Sequence, residues 1–133
     1  MPSVVKKPYG EELLLTTRDL PYVGKIRRLK AGCRDSLQYH DQKTETVILT
    51  KGEAFIYLGQ DPNTLQKTPM VINQPYTIFP LTIHRHQAIT DCELFEISTP
   101  EIGTTFHLAD DYQRPHETEA IRNLPNRGWT PKD

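Results

Sequence analysis

A chain of 133 residues has the length of one ordinary domain, enough to bury a single hydrophobic core. Its 16 basic and 17 acidic residues leave a net charge of -1 with no block of either sign, which argues against a nucleic-acid or membrane-surface partner. No window is apolar over the length that a bilayer demands, so a soluble, cytoplasmic protein is expected. Cys33 and Cys92 lie far apart with no CxxC partner and are read as reduced thiols, neither a zinc ribbon nor a disulfide framework.

Apolar and polar residues alternate in short runs broken by turn residues, the pattern of a strand-rich chain. In chain order the expected strands are Val23 to Lys30, Ser36 to His40, Glu45 to Lys51, Glu53 to Gly59, Pro69 to Ile72, Tyr76 to Pro80, Ile83 to Ile89 and Glu93 to Thr99. Ala31-Gly32, Lys51-Gly52, the polar loop "GQDPNTLQKTP" and Asn73-Gln74-Pro75 mark breaks between them. Short antiparallel strands with turns at these places make an all-β barrel or jelly roll. A single domain over residues 1–133 is expected, with its core at about 20–100 and an extended C-terminal segment at 101–133, packed loosely or held by a partner chain, with Trp129 as a contact.

Chemistry concentrates in "GCRDSLQYHDQKTETVILTKG", Gly32 to Gly52. Residues two apart in a strand share a face, so Gln38 and His40 point the same way, and the turn "DQKT" returns the chain with Glu45 on the next strand. If that face is the inside of a barrel, an amide, an imidazole and a carboxylate meet there, a mixed nitrogen and oxygen set suited to one divalent metal ion: manganese, iron, nickel, cobalt or zinc. His84 is the expected fourth donor. His86 shares its face and is a candidate acid or base, against the plainer reading of a satisfied core histidine. Arg85 alternates to the other side. Phe55, Tyr57, Phe79 and Phe95 are expected to fill the core or cavity wall, with Tyr57 as a substrate contact.

The order Gly32, Gln38, His40, Glu45, Gly52 and then His84 resembles the two motifs of the cupins, whose fold is a double-stranded β-helix; Gln38 stands where the first histidine of their His-x-His pair is usual. "KPYG", "YVGKI", "SLQYH", "PLTIHR", "EISTPEI" and "LADDYQR", across about residues 6–114, look like the small single-domain cupins similar to the C-terminal domain of type II mannose-6-phosphate isomerases, which read close to RPWG, SLQxHxHRxE and EDDYGR. Departures from that pattern fall at Gln42 and Lys43, where a histidine and an arginine are usual, and at Leu81, where a glycine is usual.

The resemblance implies a metal-dependent sugar or sugar-phosphate isomerase acting through an enediolate, with Lys25 and Arg114 carried over by position as groups suited to a phosphate or sugar hydroxyls. Lys25 joins His86 as a candidate base. A salt bridge of Arg114 with Asp110 or Asp111 is the plainer reading of that residue. Two further readings stay open: a non-haem iron dioxygenase-type enzyme, and a non-catalytic sugar-binding module. A sugar-like small molecule is the expected partner, together with a second copy of the chain, since exposed edge strands and a nonpolar outer sheet are usually covered.

Overall fold

The computed structural model describes residues 3–130. It contains strands β1 (Ser3–Lys7), β2 (Gly10–Leu14), β3 (Val23–Leu29), β4 (Leu37–His40), β5 (Glu45–Lys51), β6 (Ala54–Gly59), β7 (Gln66–Pro69), β8 (Pro75–Ile78), β9 (Ile83–Ala88), β10 (Cys92–Ser98) and β11 (Thr105–Ala109), then a short helix α1 (Glu119–Arg122). Two antiparallel sheets face each other, one ordered β1-β2-β3-β10-β5-β8 and the other β11-β4-β9-β6-β7. No helix among the described residues is long and apolar enough to cross a membrane.

Alternation fixes which side chains enter the space between the sheets. In β5 the buried positions are Glu45, Val47 and Leu49, and in β10 they are Cys92, Leu94, Glu96 and Ser98. The polar inward residues fall at one end of each strand: the start of β3, β5 and β9 and the finish of β4 and β10. Because β10 runs antiparallel to both β3 and β5, these strand ends lie side by side. The opposite end is closed by Leu29, Leu49, Ala54, Ile56, Met70, Ala88 and Leu94. A dry floor therefore sits under a charged mouth.

Three strands exceed the sequence expectation. β1 and β2 come from the N-terminal extension and add a hairpin to the six-stranded sheet, while β11 comes from the segment expected to be an extended tail. β7 lies at Gln66–Pro69, inside the expected polar loop, because its ladder with β6 is a backbone pairing on an exposed edge and leaves no alternating side-chain signature. Phe79 is 64% exposed and takes no part in the core, and Phe95 belongs to the outer face of its sheet.

On that outer face one apolar residue from each strand lines up in register: Val4 opposite Leu13, Leu13 opposite Ile26, Ile26 opposite Phe95, Phe95 opposite Ile48 and Ile48 opposite Pro75. Beside this row runs one of alternating sign, Lys6, Glu11, Arg28, Glu93 and Lys51.

Gly52 makes the turn from β5 into β6 at φ +85°, and a Cβ there would lie 2.3 Å from the Asp91 carbonyl oxygen and 2.9 Å from the Cys92 Cα. Both obstacles are backbone and cannot swing aside. Gly52→Ala is expected to destabilise the fold by about 2 kcal/mol or more in urea unfolding; a loss below about 0.5 kcal/mol would contradict this account of the turn.

Candidate metal centre

His40, Glu45 and His84 are all buried, and one ligand atom from each lies within 4.8 Å of the others. His40 and His84 come from neighbouring strands of the five-stranded sheet, where Gln38 is paired with His84. The Leu81 backbone N–H donates to the His40 carbonyl at 2.8 Å, from a residue at φ +71°, tying the end of β4 to the turn that opens β9. Glu45 reaches across from the six-stranded sheet. Its Oε1 is 3.2 Å from His84 Nε2 and its Oε2 is 3.6 Å from His40 Nε2.

The far side of each ring is already occupied. His84 Nδ1 donates to the Thr82 carbonyl at 2.9 Å, and His40 Nδ1 bonds the Thr105 hydroxyl at 2.8 Å. A ring that donates from Nδ1 presents its lone pair at Nε2, the arrangement common to metal-ligating histidines. His40 Nε2 is buried without a hydrogen-bond partner, an unusual deficit that an ion at the centre of the three would remove. Burial lowers the His40 pKa and so favours the neutral ring that ligation needs. Burial pulls His84 down as well, but Glu45 outweighs it and the net shift is upward. Burial alone would raise Glu45, yet Lys43 and the two histidines hold it well below the usual carboxylate range. The donor set fits a divalent first-row ion.

The other expected site residues divide. Gln38 lies beside the centre, its amide nitrogen 3.4 Å from His84 Nε2 and its oxygen accepting from the Ser36 hydroxyl at 2.8 Å. His86 points inward but is held by Asp35, which accepts from its Nδ1 at 2.8 Å and its backbone N–H at 2.6 Å and also takes Arg27 at 2.7 Å. Its Nε2 is buried without a partner. Lys25 is buried against Glu12, Glu96 and Glu101 at 3.5, 3.5 and 2.6 Å. Arg114 lines the same cavity, but its guanidinium is engaged by Asp110 at 2.8 and 3.3 Å, the plainer of its two readings.

Tyr57 is a correction. It faces outward beside Arg85, with its hydroxyl donating to Gln87 at 2.6 Å and the Lys67 ammonium 5.8 Å from its ring, on the side of the sheet away from the metal donors. Arg85 does point outward as alternation requires, yet it is buried and donates to the Asp35 carbonyl at 3.2 and 2.9 Å. Sequence reasoning missed Lys43. Its ammonium lies 3.1 Å from Glu45, 2.9 Å from Glu96 and 3.5 Å from Glu101. Asp35 was missed too; both flank motif residues, the one signal that pointed to them.

No protein-family model matches the sequence, and no curated protein matches it. Solved structures do. The capsular polysaccharide assembling protein CapF from Staphylococcus aureus superposes at a TM-score of 0.68 with 12% identity, over 89% of this chain and 31% of that one. Oxalate decarboxylase from Bacillus subtilis gives 0.69 with 18% identity, over 80% of this chain and 30% of that one. KdgF from Halomonas sp. gives 0.60 with 11% identity, over 71% and 83%. All three are cupins with this two-sheet architecture.

The chain has the cupin fold.

It spans about a third of the length of CapF and of the oxalate decarboxylase, 31% and 30%. In this chain the mouth of the barrel is closed by the C-terminal segment, which folds back as a strap, contrary to the loosely packed tail expected. Thr105 and Glu117 form an isolated bridge, Thr118 caps α1, and Arg122 donates to the Glu101 and Gly103 carbonyls at 3.1 and 2.9 Å. Arg127 then spans Glu117 and Glu101 at 2.6 and 2.7 Å. The cavity beneath, lined by Lys25, Gln38, His40, Lys43, Glu45 and Glu101 among others, measures about 40 Å³.

Burial pushes Glu117 up, but Arg127 and Lys7 overcome it and draw the carboxyl down to about 2. A carboxylate depressed by folding adds stability above its ordinary pKa, and loses it as pH falls through the folded value. The melting temperature is therefore expected to drop between about pH 5 and pH 2, and to drop less steeply in Glu117→Gln. Identical slopes for the two proteins would contradict the strap's electrostatic anchoring.

Proposed function

We propose that this chain is a metal-dependent cupin enzyme of the sugar-isomerase type, acting on a small polar sugar-like substrate. The observation that carries the metal is the convergence of His84 Nε2, Glu45 and the unpartnered His40 Nε2 at one buried point. The isomerase reading draws its support from the resemblance of "SLQYH", "PLTIHR" and "LADDYQR" to the isomerase-like cupins. A bound divalent ion supplies Lewis-acid polarisation of a carbonyl and of the hydroxyl beside it.

The remaining work falls to side chains. Gln38 and Lys43 border the centre with N–H donors that orient a substrate oxygen. Asp35 fixes the proton of His86 on Nδ1, which leaves Nε2 as the acceptor for the hydrogen removed from carbon and its donor to the neighbouring carbon. The strap excludes water while that proton is in transit.

Protein loaded with manganese, cobalt or zinc is expected to interconvert an aldose and a ketose from a panel of small sugars. Glu45→Ala is expected to lose bound metal and at least about a thousandfold in turnover. Metal uptake without turnover of any sugar would remove the isomerase reading and leave a binding module.

We further infer a homodimer through the outer face of the six-stranded sheet. The apolar row from Val4 to Pro75 crosses all six strands, and the charges beside it already pair within the chain, Lys6 with Glu11 and Arg28 with Glu11 and Glu93. An identical copy meets no one-signed field there. Light scattering is expected to give twice the chain mass, and Phe95→Glu the mass of one chain; a monomeric wild type would overturn the inference.

A further inference from the structure

Among the carboxylates at the mouth of the barrel, Glu101 differs in how it is held. Glu12, Glu45 and Glu96 stand on β2, β5 and β10, where the ladders fix their backbone. Glu101 is carried on the loop between β10 and β11, beside the exposed Ile102. Its carboxylate nevertheless collects three cations: Lys25 at 2.6 Å and Lys43 at 3.5 Å on Oε1, and Arg127 at 2.7 Å on Oε2. A carboxylate carried on a loop rather than a strand thus occupies a pocket of fixed positive charge.

Withdrawing Glu101 strands none of these cations. Lys25 keeps Glu12 and Glu96, Lys43 keeps Glu96 and Glu45, and Arg127 keeps Glu117. What it vacates is an anion position faced by two ammonium groups and a guanidinium, with less carboxylate left to balance them. It also vacates volume, which matters because about 40 Å³ accommodates a water or so and no metabolite. Lys43 touches both Glu101 and the metal-donor Glu45, so the anion position lies one side chain away from the metal centre. A ligand spanning the two carries an acid group at one end and a hydroxyl or carbonyl oxygen at the other.

We propose that Lys25, Lys43 and Arg127 form a carboxylate-binding subsite, filled by the protein's own Glu101, and that the substrate is a small hydroxy- or keto-acid whose carboxylate displaces it. The proposal names the substrate class of the metal site and so rests on that reading. Carboxylate is preferred over phosphate because the resident group is itself a carboxylate whose two oxygens are both engaged, one by Lys25 and Lys43 at 2.6 and 3.5 Å and the other by Arg127 at 2.7 Å.

Calorimetric titration with glycerate, glycerol and glycerol 3-phosphate tests it, on wild type and Glu101→Gln, each both metal-free and zinc-loaded. Glycerate is expected to bind Glu101→Gln about tenfold or more tightly than wild type, since a competing charged contact has been removed, and glycerol to bind neither protein. Adding Lys25→Met to Glu101→Gln is expected to reverse the gain. If Glu101→Gln fails to fold by circular dichroism, Glu101→Asp shortens the tether while keeping its charge and is expected to tighten glycerate about threefold. Glycerate affinity unchanged by either substitution overturns the proposal, and preference for glycerol 3-phosphate overturns its carboxylate assignment. The gain in the metal-free protein is independent of the metal reading, whose own failure shows as absence of bound zinc.

Discussion

Charge inside a β barrel is tolerable only where each charge meets its opposite, because an ion removed from water without a partner is several kcal/mol out of balance. This chain places Glu12, Lys25, Arg27, Asp35, Lys43, Glu45, Glu96 and three histidines in its interior. They are all gathered at one end, and the apolar floor of Leu29, Leu49, Ile56 and Leu94 keeps the other end dry. Much of the architecture follows from that gathering. The antiparallel order brings strand beginnings next to strand ends, and the strap supplies Arg127 and Glu117 to complete the network from above. Among the described residues, His40 Nε2 is one of four buried side-chain atoms left without a hydrogen bond, with Glu12 Oε2, Arg27 Nε and His86 Nε2, and it is the one that belongs to the cluster of His40, Glu45 and His84.

The two halves of the site have different physical origins. The metal donors stand on strands, so their spacing is set by ladder geometry and their orientation by bonds at Nδ1. The cations that face Glu101 come from a strand, a turn and the strap, and are brought together by charge. A centre set by strand geometry thus lies beside one assembled by charge.

Period-two alternation was sufficient to place Gln38 and His40 on one face and to bring Glu45 back opposite them, because those strands carry one polar and one apolar face. It failed for Tyr57. In "AFIYLG" both parities are apolar, so no pattern says whether Ile56 or Tyr57 faces the core, and the core takes Ile56. Asp35, Lys43, Glu101 and Glu117 were illegible for another reason. Their roles depend on partners 51, 53, 76 and 10 residues away, and a lone charged residue in a turn or loop reads as solvated. β11 was likewise hidden, since the strand it pairs with, β4, lies 65 residues away at Thr105 and His40. The fold was therefore more legible than the site. Proteins at 11–18% identity share the architecture, two of them in chains nearly three times as long.

The central claim is that His40, Glu45 and His84 jointly ligate one cation. X-ray absorption at the zinc edge of the zinc-loaded protein tests it most directly. The account predicts one tightly bound zinc whose shell holds two imidazoles and a carboxylate oxygen at about 2.0–2.2 Å, falling to one imidazole in His84→Ala. Zinc without imidazole scattering, or with a shell unchanged by His84→Ala, would contradict it.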